Sequence, residues 1–270
     1  MQRVNPGELF GLAGTVCRNR LRSVTALHSD AQVCTAYEKS LISVAVDLIA
    51  ESARRGPWIT HFVIEGVPTG GDYQVINDRR VQQFLGRFPN VRTILELGSL
   101  EGGHTFTLAR HPGVERILAI EARAANLEKA KFIGSLLGVS NVEFRQANLE
   151  QLQLASLGCF AAIFCCGLLY HLPEPWRLIS QLPLVAPSLF VWTVYANENE
   201  ATIEINGLRG REYVAGGLDE PLSGLSAKSI WLTLPSLLEL LKRSGYGEIE
   251  ILEKAQNPNG PAVTLSAGLN

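Results

Sequence analysis

Two carboxylates and three glycines stand close together in the run Ile94-Leu95-Glu96-Leu97-Gly98-Ser99-Leu100-Glu101-Gly102-Gly103. Glycines in such a loop let the backbone come close to a ligand that a side chain would hold off. Carboxylates beside it repel phosphate and attract cations. A second apolar run, Ile117–Ile120, ends in Glu121, an acid placed to accept hydrogen bonds from ribose hydroxyls. Farther along, Phe160–Cys166 is apolar and leads into Gly167, then Tyr170, His171 and Leu172. An imidazole titrates near neutrality and can take a proton from a hydroxyl. The chemistry on offer is recognition of a positively charged nucleoside beside a base.

The elements that must hold these residues follow from the apolar pattern. Strands are predicted at about 92–97, 116–121, 141–146, 160–166 and 188–195, with helices at about 103–110, 123–138 and 173–182. That alternation predicts an α/β fold: a Rossmann-like, doubly wound, mostly parallel sheet. A helix over Leu234–Ser244 ends at Gly245, and strands at about 247–254 and 262–267 flank Asn257-Pro258-Asn259-Gly260. So short a turn makes them a C-terminal antiparallel hairpin. Residues 196–230 break the rhythm and read as an insertion near the substrate site. Upstream, a helix runs from caps at Ser29 or Asp30 to about Arg54, with Tyr37, Leu41, Val44, Ala45 and Leu48 as its apolar face, and Gly56-Pro57 stops it. Thr60–Ile64 is strand-like, Pro68–Gly71 a turn, and Asn77–Phe88 a helix. The chain thus divides into a helical N-terminal appendage or lid, 1–75, and a sheet domain, 76–270.

The glycine loop is not a dinucleotide fingerprint. That pattern is G-x-G-x-x-G, and its middle glycine is Leu100 here. With Glu96 and Glu101 disfavouring pyrophosphate, S-adenosylmethionine fits better: it has an ammonium and a sulfonium group and no phosphate.

The run Glu96-Leu97-Gly98-Ser99-Leu100-Glu101-Gly102-Gly103 resembles the first motif of the class I S-adenosylmethionine-dependent methyltransferases. The stretch ending in Tyr170-His171-Leu172 is similar to the fourth motif of their Tyr-His-Leu branch, which includes the enzymes that complete 5-carboxymethoxyuridine at the tRNA wobble base. The resemblance covers roughly 90–195 well, Trp231–Gly247 loosely and the first 60 residues hardly at all. It implies a cofactor set of Glu96, Gly98, Ser99, Gly102, Glu121, Ala122, Asn148, Leu149, Cys166 and Gly167. Glu96 would serve the methionine end, Glu121 the ribose and the amide of Asn148 the adenine amino group. The wobble-base enzymes carry a basic, Trp-rich segment before the first motif. Here Gly71-Asp72-Tyr73-Gln74-Val75-Ile76-Asn77-Asp78 holds no lysine. That favours ordinary S-adenosylmethionine and puts tRNA as substrate in doubt.

His171 is the candidate catalytic base; the alternative is a residue that orients its loop. Tyr73, Tyr170 and Tyr195 are candidate substrate contacts, and Tyr73, Trp192, Tyr195, Tyr213 and Trp231 could build an aromatic pocket. His104 reads as a helix cap, and Arg22, Arg209 and Arg211 as surface charges. No His, Cys or acid spacing suits a metal.

The chain has 270 residues, net charge −2 and five cysteines without C-x-x-C spacing, and pI ≈ 6.2. These features give no general attraction to nucleic acid and predict reduced thiols in a cytoplasmic protein. No apolar run is long enough to span a bilayer and no signal segment opens the chain. The expected activity is methyl transfer to a small-molecule acceptor, with oxygen as the acceptor atom. RNA methylation and a non-catalytic partner subunit are the alternatives, and a homodimer is an admitted assembly.

Overall fold

The computed structural model describes residues 47–269. Of the helix expected from Ser29 to Arg54, residues 47–54 are described and helical. Its caps, the rest of its apolar face and Arg22 lie outside the described residues. The unit that holds the sheet begins at Ile49.

Seven strands form the sheet: β3 (Thr93–Leu97), β4 (Arg116–Glu121), β5 (Val142–Gln146), β6 (Ala162–Cys166), β7 (Ser188–Val194), β11 (Tyr246–Asn257) and β12 (Gly260–Leu269). Their order is β11-β12-β7-β6-β3-β4-β5. The five from β5 to β7 are parallel, whereas β12 runs antiparallel to both β7 and β11. Strand order reverses between β3 and β6, so a crevice opens at their carboxyl ends. The Rossmann-like reading and the closing hairpin are thus both present.

Alternation along β3 sends Ile94 and Glu96 to one face and Leu95 and Leu97 to the other. On the first face Ile94, Ile117, Phe164 and Phe190 pack against Val81 and Phe84 of helix α1 (Arg79–Arg87) and Leu108 of α2 (Gly103–Ala109). Phe164 and Phe190 stack with centroids 5.7 Å apart, and Phe84 meets both edge-on. Helix α3 (Ala124–Leu136) joins this layer through Ile133, which packs with Trp58, Phe62 and Phe106. On the second face Leu95, Leu118, Ile163, Leu189 and Val191 meet α4 (Pro175–Ile179) and α5 (Leu234–Arg243).

Three expectations are corrected. The helix predicted over 173–182 is only α4, and Leu182–Leu184 forms a separate 3-10 turn; Pro183, inside that turn, has no N–H for an α-helical bond. Thr60–Ile64 is not one strand: Thr60 bridges Tyr73, while β1 (Val63–Ile64) pairs with β2 (Val67–Pro68). Residues 196–230 are not irregular throughout. They begin a three-stranded antiparallel sheet of β8 (Ile203–Ile205), β9 (Leu208–Val214) and β10 (Lys228–Leu232). Asn206 and Gly207, at φ +55° and +75°, turn the first hairpin. Asn-Gly is the standard sequence signal for that turn, so the sequence itself marks this hairpin.

Candidate active site

The glycine loop leaves β3 at Gly98 and enters α2 at Gly103. Gly98, Leu100 and Gly102 have φ of +80°, +51° and +86°. At Gly102 a Cβ would lie 2.8 Å from the Phe106 ring, and at Gly103 a Cβ would lie 2.0 Å from a Val75 methyl. These two glycines are required by packing, and the second brings residues 60–75 against the loop.

Glu121 ends β4 and fixes the loop from below. Its Oε2 accepts from Leu100 N at 2.9 Å and its Oε1 from Arg123 N at 2.8 Å. Burial raises its pKa, against the lowering effect of these bonds. Glu96 is fully enclosed; burial pushes its pKa up to about 7, a Thr105 hydroxyl bond of 2.6 Å opposes the rise, and repulsion from Glu121 adds to it. The Ser99 hydroxyl is buried without a partner among the described residues.

Glu101 does something else. It lies outside this pair of acids, fully buried, 2.8 Å from Lys129 Nζ. It also accepts from Ile59 N and Thr60 N, the latter at 2.6 Å. Its charge is neutralised, so it contributes nothing to repelling pyrophosphate. Glu96 and Glu121 alone carry that part of the reasoning.

On the far side of β4, Asn148 Oδ1 accepts from Glu150 N at 2.9 Å, and Leu149 is buried. One lone pair of that amide oxygen remains for a ligand. Ala122 is half-buried, with its carbonyl accepting from the Gln146 amide. Cys166 and Gly167 end β6 beside Trp192 of β7, whose carbonyl accepts from Gly167 N at 3.0 Å. Burial raises the Cys166 thiol pKa, so it stays protonated.

Tyr170 and His171 follow in a short turn. Their rings lie 4.1 Å apart. Burial lowers the His171 pKa to about 4, and the positive charge of Arg123 adds to the shift. Tyr170 meets Trp192 and Trp231 edge-on at 6.0 and 6.2 Å, and Tyr213 stacks on Trp231 at 4.3 Å. Trp231 Nε1 donates to the Tyr170 carbonyl at 2.8 Å, so β10 tethers the turn. Of the other expected substrate residues, Tyr73 is 46% exposed, and Tyr195 packs against the core of the opposite sheet face.

A cluster not foreseen lies next to these rings. Arg80 stacks over Trp192 at 4.6 Å and forms a two-pronged ion pair with Asp78. Against the burial that would raise it, the bonds from Arg80 and the nearby His104 ring hold the Asp78 carboxyl well below the usual range. His104 does not cap α2. Its ring faces Asp78 at 3.3 Å and Phe164 edge-on, and burial lowers its pKa. Arg209 pairs with Glu198 at the surface, but Arg211 stacks on Trp231 at 4.4 Å. Among the described residues no group of His, Cys, Asp or Glu could hold a metal.

A family model described as a methyltransferase domain matches residues 94–183. The N-terminal domain of EvdMO1, crystallised in the presence of S-adenosylhomocysteine and D-fucose, is similar at 33% identity. The alignment covers 83% of this chain and 96% of that one, with a TM-score of 0.77. The same domain with S-adenosylhomocysteine bound aligns at 31% identity, the same coverages and a TM-score of 0.76. The chain belongs to the S-adenosylmethionine-dependent methyltransferases. The methyltransferase spans 47% of the longer EvdMO1 chain. It shares its fold with 1,6-didemethyltoxoflavin-N1-methyltransferase of Burkholderia thailandensis, at 12% identity over 90% of this chain and 92% of that one, with a TM-score of 0.53. No curated protein sequence matches it. Among the described residues no helix is long and apolar enough to cross a membrane.

Proposed function

We propose that this methyltransferase acts on a hydroxyl of a small, ring-shaped, polyhydroxylated acceptor, with His171 as the base. The observation that carries this reading is the placement of the Tyr170 ring 4.1 Å from His171 at the carboxyl edge of the sheet, with Trp192 edge-on to Tyr170 and the buried Trp231 packed against it. Aromatic rings offer broad apolar contact at low cost in conformational entropy, which suits the C–H faces of a saturated ring. The presence of D-fucose in the crystals of the EvdMO1 domain supports the same acceptor class.

The residues present fit the cofactor. Glu96 and Glu121 are desolvated and repel each other; a cationic ligand relieves that repulsion, and an anionic one increases it. The orphaned Ser99 hydroxyl supplies a polar atom still to be satisfied. On this reading Glu96 and Ser99 hold the methionine end and Glu121 the ribose. Gly98 and Ala122 leave room for the backbone to approach, Gly102 lets the loop close onto Phe106, Asn148 and Leu149 flank the adenine, and Cys166 and Gly167 border the sulfur. Bound S-adenosylmethionine supplies a methyl on positively charged sulfur. The protein aligns the acceptor oxygen and excludes water. His171, neutral at physiological pH, takes the hydroxyl proton as the oxygen attacks. Tyr170 packs the acceptor ring, and Tyr73, at the exposed edge, contacts it from outside. Tyr195, on the opposite sheet face, supports the end of β7.

The test is a panel of deoxyhexoses and their glycosides, with S-adenosylhomocysteine release and product mass as readouts. The proposal expects a mass gain of one methylene on a ring hydroxyl. Turnover confined to amines or thiols, or to tRNA, would overturn it.

A further inference from the structure

The segment 215–227, between β9 and β10, runs across the carboxyl edge of the main sheet and is held there at three strand ends. After β4, the Arg123 guanidinium lies in hydrogen-bond reach of five carbonyl oxygens of this segment: Leu218 at 3.0 Å from Nη1, and Gly217 at 2.9 Å, Glu220 at 3.0 Å, Ser223 at 3.1 Å and Gly224 at 3.3 Å around Nη2, whose two N–H they share. After β5, the Glu150 carboxylate accepts from the Ser226 hydroxyl at 3.1 Å. After β6, the segment lies against His171: a Cβ on Gly224 would come within 2.5 Å of the His171 carbonyl oxygen. Two internal bonds close it on itself, Ala215 N to the Ala227 carbonyl at 2.8 Å and Gly217 N to the Ser223 hydroxyl at 3.1 Å.

Glu121 and Asn148, which on the cofactor reading proposed above, on which this inference rests, flank the nucleoside site, lie within two residues of Arg123 and Glu150. The strap therefore passes over the nucleoside side of the cofactor site and not only over the acceptor side. We propose that Arg123 is the latch of this strap, and that the cofactor enters and leaves only when the Arg123 bonds to residues 217–224 open. Four of these carbonyls converge on Nη2 and one on Nη1, so one planar cation holds the strap through shared hydrogen bonds and its positive charge. Because neutral carbonyls accept from it, the latch can open without separating a buried ion pair. Arg123 is in this sense a positioning residue, and the inference concerns cofactor exchange, so it stands apart from the acceptor assigned above.

The test is stopped-flow displacement of S-adenosylhomocysteine from the full chain, with Arg123→Ala and Arg123→Lys compared to the parent. The expected result is faster exchange in both directions: association and dissociation each rise about tenfold or more in Arg123→Ala, Kd changes less than either rate, and Arg123→Lys falls between. Gly224→Ala, which keeps Arg123 but forces the strap off His171, should also speed exchange; it keeps the question open to refutation if Arg123→Ala fails to fold. Limited proteolysis should cut within 217–224 faster in each variant, and bound S-adenosylhomocysteine should slow the cut in the parent. Unchanged exchange rates in folded Arg123→Ala and Gly224→Ala would overturn the proposal. So would a loss of affinity arising only from slower association.

Discussion

Lys129 Nζ lies 2.8 Å from Glu101 Oε1, with both side chains almost wholly removed from solvent. The same ammonium donates to the Pro57 carbonyl and sits 5.5 Å from the Trp58 ring centre. This pair joins the glycine loop to the segment that precedes the sheet. Removing one member leaves a buried charge without a partner, which costs about 3–5 kcal/mol, whereas replacing both by apolar groups often costs little. Lys129→Met should therefore be strongly destabilised in urea, and adding Glu101→Gln, which removes the second charge but keeps an acceptor for Ile59 N and Thr60 N, should recover much of the loss. Additive single effects in the double variant would show that the pair is not coupled.

Glu96 predicts a stability that depends on pH. Its folded pKa is pushed up to about 7 from 4.5. A carboxyl raised in the folded state favours folding while it is protonated there. That contribution is full below about 4.5 and is lost as pH rises towards 7. At about 1.4 kcal/mol per unit, the penalty above pH 7 is on the order of 3 kcal/mol at most. Glu96→Gln should raise Tm of the ligand-free protein at pH 8 and leave it nearly unchanged at pH 4.5. The same variant should bind S-adenosylmethionine more weakly, and more so than S-adenosylhomocysteine, which lacks the sulfonium charge. Paired melting and titration experiments read both effects.

Glu121 serves the loop as well as the ligand, so its variants should separate two losses. Glu121→Ala removes the acceptor of Leu100 N and Arg123 N together with the bonds expected to ribose. Hydrogen bonds to charged groups contribute roughly 1.5–3 kcal/mol each, so calorimetry should show at least a tenfold loss of S-adenosylhomocysteine affinity. Glu121→Gln keeps one acceptor oxygen and turns an NH2 towards a backbone N–H; it should fall between the two. Parent-like affinity in a folded Glu121→Ala would remove this residue from the ribose site.

His171 should set an acid limb well below the usual range for histidine. With its pKa lowered to about 4, the imidazole stays unprotonated, and kcat should hold level from neutrality down to about pH 5 before falling. The linkage to stability has the matching sign: the unfolded chain takes up a proton near 6.5 and the folded one near 4, so stability is lost as pH falls through that window. His171→Ala should cut kcat by about 10²–10⁴-fold, with Kd for S-adenosylhomocysteine nearly constant. Equal loss of Tm, affinity and turnover would instead assign His171 a role in shaping its turn.

What could be read from sequence, and what could not, follows from distance along the chain. Strands such as Ile117–Ile120 and Ala162–Cys166 are continuous apolar runs because they are buried on both faces, and Glu121 stands out as the acid that ends one. Their helices and the closing hairpin follow from local spacing. The role of Glu101 is not legible because its partner Lys129 lies one helix away, and charge alone does not show which carboxylate is paired. His104 reads as a cap because it begins a helix, yet its ring faces Asp78 at the start of another helix. Arg123 carried no local mark; its partners at 217–224 are reached only through the fold. The sheet of β8, β9 and β10 is hard to read for a different reason. Its strands are short, with outward Glu204, Arg209 and Glu212, and only the Asn206-Gly207 turn marks them.

The position of β12 bears on how the molecule is made. It pairs with β7 from Ala262↔Val194 to Gly268↔Ser188 and fills an interior place in the sheet, yet it is synthesised only after the whole stretch from Tyr195 to Asn259. Until it arrives, β7 presents the open edge of a growing sheet, carrying Leu189, Phe190 and Val191, which are fully buried in the finished protein. Unpaired apolar edges are where nascent chains join the wrong neighbour. Sequence changes in β12 should therefore show first as lower soluble yield during synthesis, before any measurable defect in the enzyme that does fold.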